Sequence, residues 1–227
     1  MKIRSMSVCC LIAILSLPMT ALQAKSPATL PDVTTDGLEL VKDTKLAIVY
    51  VLPGADLGDY DQVMLLDATV AFRKNWMRDQ NRGSRNRINS RDVENIKTGV
   101  AEMFNEIFVE ELTEGGYKLA EETGETVLLV RPQIIDLDVY APSTMRTAGA
   151  NTYAESAGEM TLHLELYDSV SGAVIARALD LQEDRKRGHL DWQTRSANRA
   201  AGEKMIRVWA EVLRNALDET RAKGDID

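Results

Sequence analysis

Apolar and polar residues alternate along several stretches of this chain and recur every three or four residues along two others. From Met64 the side chains of Met64, Leu66, Ala68, Val70 and Phe72 share one face, with Asp67, Thr69 and Arg73 on the other, as a half-buried strand requires. Two shorter β-rich runs, "GLELVK" and "KLAIVYV", precede it. Val93, Ile96, Val100, Met103, Phe104, Ile107, Phe108 and Leu112 then follow helical spacing. Ser90 is placed to cap that helix, Asp92 sits in its first turn, and Gly115-Gly116 ends it. Gly99 inside the helix costs about 1 kcal/mol against alanine, which close approach to a neighbouring backbone would explain.

"TVLLVRPQIIDLDVY" is apolar on both faces in its first half and alternates in its second, with Ile135, Leu137 and Val139 opposite Asp136 and Asp138. This predicts a central strand running out toward the sheet edge, with a bulge or edge position at Pro132, which lacks a ladder donor. Met160, Leu162, Leu164 and Leu166 alternate with Thr161, His163, Glu165 and Tyr167. "DSVSG" is turn chemistry, "AVIARALDLQED" is the returning strand, and a last helix from about Ser196 is expected to bury Ala201, Met205, Val208, Trp209, Val212, Leu213, Ala216 and Leu217. The order β-β-β-α-β-β-β-α predicts one α+β domain: a mostly antiparallel sheet with two amphipathic helices packed on one face.

The first residues add a compartment. Lys2 and Arg4, an apolar run from Val8 to Leu17 and a small-residue exit from Ala21 to Ala24 form the layout of a secretory signal peptide. The expected organisation is a signal peptide over 1–24, a linker over 25–36, the domain over 37–220 and a charged tail over 221–227. The expected location is therefore periplasmic, with membrane association as an option. Cys9 and Cys10 are the only cysteines, so the mature chain would have no disulfide and no thiolate site. They lie within the apolar run, too early for a lipid-anchored terminus. No second long apolar stretch follows, so no transmembrane segment is expected after cleavage.

Read together, "DGLELV", "YVLPGADLGDYDQVMLLDATVAFRKNW", "LHLELYDSVSGAVIARALD" and "WAEVLRNALDE" resemble the bacterial envelope family known as domain of unknown function 3313. Its members are mostly described as lipoproteins. The resemblance spans about Gly37 to Leu217 and implies an envelope protein; it brings no catalytic residues.

The chain lacks a nucleophile elbow, a zinc-protease motif, a phosphate loop and a dinucleotide fingerprint. No catalytic residue, metal or cofactor is expected. His163 beside Glu165 reads as a solvent-facing strand histidine, and His189 as a loop residue. Asp136 and Asp138 on one strand face motivate an alternative reading, a carboxylate-dependent hydrolase of an envelope polymer. Asp180 interrupts an apolar strand, and the expected partner is Arg131 or Arg177.

Charge is sorted by region. The formal charge is −8, and removing Lys2 and Arg4 with the leader leaves −10. Yet residues 73–91, "RKNWMRDQNRGSRNRINSR", hold six arginines and one lysine against Asp79 alone. A connection of that length is a solvated loop or a functional one. In the functional reading, Arg73, Lys74, Arg78, Arg82, Arg85, Arg87 and Arg91 fork onto anions while Trp76 stacks or anchors. Export disfavours nucleic acid as the partner, leaving envelope phosphates or carboxylates, or an acidic patch on an envelope protein. The expected function is a non-enzymatic envelope accessory or binding protein.

Overall fold

The computed structural model describes residues 30–82, 87–139, 153–154, 156–185, 191–192 and 195–224. In chain order the elements are β1 (Glu39–Val41), β2 (Ile48–Val51), β3 (Gln62–Leu65), β4 (Thr69–Phe72), α1 (Trp76–Gln80) and α2 (Ser90–Glu114). There follow β5 (Lys118–Leu119), β6 (Val127–Val139), β7 (Tyr153–Ala154), β8 (Ser156–Asp168), β9 (Val174–Arg185), β10 (Asp191–Trp192) and α3 (Arg195–Gly224). The segment read as a signal peptide lies outside the described residues.

β8 and β9 pair antiparallel across the turn expected at 168–172. There Asp168 Oδ1 accepts from the Ser171 amide and hydroxyl, both at 2.6 Å, and Gly172 takes φ 70°. One large sheet runs β1-β2-β9-β8-β6-β3-β5, with β4 also on β6, while β7 and β10 form a separate pair. The sheet is mixed, and this corrects the expectation of a mostly antiparallel one. β3 and β4 both run parallel to β6, and β5 parallel to β3. The reason is connection length. Tight turns return a strand antiparallel, as between β8 and β9, but α1 and α2 carry the chain from β4 to β6, and such a crossover delivers a parallel strand.

The single strand expected over 64–72 is two strands. β3 pairs with Val127 to Val130, and β4 with Gln133 onward, so the break falls opposite Pro132. Asn105 of α2 holds the break: its Oδ1 accepts the Ala68 amide at 3.4 Å and its Nδ2 donates to Asp67 Oδ1 at 2.8 Å. The inward phase changes there, with Val63 and Ala68 buried and Leu66 exposed.

Asn89, one residue before the expected Ser90, caps α2. Its side chain accepts the amides of Arg91 and Asp92, and the Asp92 carboxylate returns to the Asn89 amide at 3.0 Å. A Cβ on Gly99 would meet nothing within 4 Å, so close approach does not account for that glycine. Gly202 of α3 does mark one: a Cβ there would lie 3.3 Å from Met103 Sδ on α2. Phe104 and Phe108 stack at 4.0 Å in a core cluster that also holds Ile206, Trp209, Leu128, Ile134 and Leu162. Glu111, 6% exposed, joins the helices by accepting from Arg207 at 2.9 Å. The described residues from Pro31 onward form one compact unit. Within the segment read as linker, Asp32 and Thr34 already bond to β1 and its approach, and Pro31 O accepts the Tyr50 hydroxyl at 2.9 Å. No helix among the described residues is long and apolar enough to cross a membrane.

Candidate functional site

The basic stretch begins where β4 ends. The Arg73 amide donates to Leu137 O at 3.1 Å, extending the β4–β6 pairing by one bond. Asn75 then takes a left-handed φ of 65°, which turns the chain into α1. Trp76 comes next, 1% exposed, its ring 3.9 Å from that of Phe72 and its Nε1 donating to Val139 O at 2.9 Å. It anchors the segment to the sheet, and its buried face is closed to a ligand.

Arg73 has structural partners too. Its guanidinium donates to Asp138 on β6 and, at 3.0 Å, to Asp79 on α1. Arg78 also bonds Asp79, at 3.2 Å. The bond from Arg73, then that from Arg78, holds the Asp79 carboxyl below its ordinary range. Asn81 clamps the chain beyond α1: its Oδ1 accepts the Ile88 amide at 2.7 Å and its Nδ2 donates to Ile88 O at 2.9 Å. Arg82 and Arg87 flank the excursion shut by this clamp, and Arg85 lies outside the described residues. Arg91 projects from the first turn of α2. Lys74, Arg82, Arg87 and Arg91 are exposed, and among the described residues none of the four is in an ion pair.

The stretch thus divides by role. Arg73, Trp76, Asp79 and Asn81 fix the backbone, and the exposed Lys74, Arg82, Arg87 and Arg91 face solvent on either side of the Asn81–Ile88 clamp. The Trp76 bond to Val139 and the Asn81 clamp are not legible in the sequence, since both connect residues by tertiary placement. Asn-rich composition is the only hint of the clamp.

The carboxylates behave differently from expectation. β6 bulges between Ile135 and Asp138, and Asp136 takes φ 52°. The extra residue puts Ile134 and Leu137, three apart, both in the core. Asp136 is therefore extruded and exposed while Asp138 serves Arg73, and no free carboxylate pair results. Asp180 is buried with neither expected arginine. It accepts from Trp209 Nε1 at 2.8 Å, the Ala47 amide at 2.9 Å and Gln182 Nε2 at 2.8 Å. Arg131 and Arg177 converge instead on Glu165, which also accepts the Tyr167 hydroxyl. Burial pushes the Glu165 carboxyl up, but these donors outweigh it and hold the carboxyl below its usual value. His163 stands on β8 between Gln133 and Leu179, and His189 lies outside the described residues. No cluster of three metal-ligating side chains occurs among the described residues.

A family model described as a protein of unknown function, DUF3313, matches residues 36–212. No curated protein matches. A solved PelC dodecamer from Paraburkholderia phytofirmans is similar at 11% identity and a TM-score of 0.38, over 73% of this chain and 96% of that one. Protein XCC0632 from Xanthomonas campestris, of the DUF330 family model, is similar at 11% identity and a TM-score of 0.43, over 74% and 90%.

Proposed function

The chain belongs to the DUF3313 family, and we propose that it is an exported, non-enzymatic envelope protein that binds anionic groups through its basic loop. The leader over 1–24 is removed on export, and α2 and α3 cover one face of the sheet. One observation carries the reading: Asp79 and Asp138 are already engaged by Arg73 and Arg78, and among the described residues Lys74, Arg82, Arg87 and Arg91 are in no ion pair. Arginines around a clamped turn lose less freedom on meeting a phosphate or carboxylate than they would on an unanchored chain. Engagement of Asp138 by Arg73 removes the carboxylate that a hydrolase would have used. Chromatography tests this. Protein beginning at about Lys25 should be held on a phosphate or heparin matrix at low salt. It should elute as the Debye length contracts from about 10 Å at 0.1 M to roughly 3 Å at 1 M. Passage through the column at low salt rules the reading out.

A further inference from the structure

We propose that a cleft between α3 and strands β8 and β9 holds the aliphatic chain of a single-chain zwitterionic lipid. The cleft encloses about 360 Å³, within the range of small-molecule sites. Leu164, Leu166, Ala176 and Ala178 form its floor, while Trp209, Val212 and Ala216 of α3 form a wall. The space exists because β9 carries alanine where β8 carries leucine: Leu164 pairs with Ala178, and Leu166 with Ala176. Sheet width adds to it. Two helices side by side, each about 10 Å across, cover roughly four strands spaced at ~4.8 Å, whereas the sheet path runs through seven.

Size and polarity together select the occupant. One helical turn with its side chains displaces about 400–600 Å³, given a diameter of ~10–12 Å and a pitch of ~5.4 Å. A helix is therefore too thick, and a file of methylenes fits. Trp209 spends its indole N–H on Asp180, and Asp180 is already satisfied by three donors. Among the described lining residues the fully buried polar groups are thus satisfied. Only the half-buried Asn215 and the exposed Thr44 are left as polar lining besides the rim charges, so the deeply inserted part must be apolar. At the rim stand Lys45, Asp43 and Glu219, all exposed. None of them is in an ion pair among the described residues. A rim of mixed sign suits a headgroup of mixed sign, with phosphate toward Lys45 and ammonium toward the two acids. A fatty-acid carboxylate would meet two like charges for one opposite.

The test is a titration with a lysophosphatidylethanolamine brominated on its acyl chain, kept below its micelle concentration and read by tryptophan emission. Bromine quenches on contact: Trp209 lines the cleft, Trp76 is buried against Phe72, and the titration is run in a Trp192→Phe background so that the third tryptophan does not contribute. Saturable quenching at one lipid per chain is expected, with no competition from glycerophosphoethanolamine, which lacks the chain. Ala216→Phe fills the cleft from a half-exposed helix position, and Ala178→Leu fills it from the floor. Each should weaken binding by at least about tenfold, or ~1.4 kcal/mol. If one variant fails to fold, the other decides. Absence of saturable quenching in the wild type, or unchanged quenching in the folded cleft-filling variant, overturns the site. Equal affinity for a brominated fatty acid of the same chain overturns the zwitterionic headgroup. Serine replacements at Arg82, Arg87 and Arg91 should leave the titration unchanged, so failure of anion binding by the loop is read separately.

Discussion

Two buried carboxylates on neighbouring strands face opposite sides of the sheet, and each ties down a different layer. Asp180 on β9 locks the indole of Trp209 and the amide of Ala47 to the sheet, so Asp180→Ala strands two donors at once. The Trp209 bond is buried while the Ala47 bond is only part-buried, so at about 1–3 kcal/mol for a buried unsatisfied group a loss of roughly 1–3 kcal/mol is expected. Urea unfolding measures it, and a loss under about 1 kcal/mol would show that water replaces the carboxylate. Glu165 on β8 gathers Arg131, Arg177 and Tyr167, and its carboxyl is held below the ordinary value. The unfolded chain therefore takes up that proton more readily than the folded one. The stabilisation is complete above about pH 4.3 and is lost as pH falls through the folded value. Melting temperature followed from about pH 5 to pH 3 should fall less steeply in Glu165→Gln than in the wild type. Parallel slopes would mean that other carboxylates carry the acid sensitivity. The true partners were partly legible: Asp180 and Arg177 lie three apart on one strand, hence on opposite faces, which excludes that pair by parity alone. The contact with Trp209 was not, because it spans two elements whose mutual placement no local pattern encodes.

At the scale of elements, period was a good guide wherever the ladder is regular. Leu162, Leu164 and Leu166 are buried as alternation requires, and Phe104, Phe108 and Leu112 as helical spacing requires. Prediction failed where a ladder is interrupted. β3 and β4 read as one strand because the apolar period continues through Leu66, although Asn105 and the position opposite Pro132 break the pairing there. The bulge at Asp136 likewise shifts the inward set by one residue, which composition does not announce. The Asn81 clamp makes a prediction of its own. Asn81→Ala removes both bonds to Ile88, so amide exchange at Ile88 should quicken while exchange in the middle of α2 stays unchanged. Global stability should move by about 1 kcal/mol or less. Unaltered exchange at Ile88 would mean that the loop is closed by contacts other than this side chain.

Across the whole molecule, charge and packing divide the surface. Acids predominate over the chain as a whole, while exposed cations that form no ion pair among the described residues gather around α1 and the first turn of α2. That concentration was visible in the sequence as composition. Composition could not convey the division of labour, in which Arg73 and Trp76 are spent on the fold and Arg82, Arg87 and Arg91 are left to solvent. The most direct measurement compares two variants of equal net charge on a heparin matrix at low salt. One carries Arg82→Ser, Arg87→Ser and Arg91→Ser; the other carries Lys42→Ser, Lys118→Ser and Lys204→Ser, at exposed lysines outside the loop. Both should fold, since exposed substitutions usually cost within about 0.5 kcal/mol each. Loss of retention in the loop variant with retention kept in the other is the predicted result. Equal behaviour of the two, whether both bind or both fail, would contradict an anion site in the basic loop.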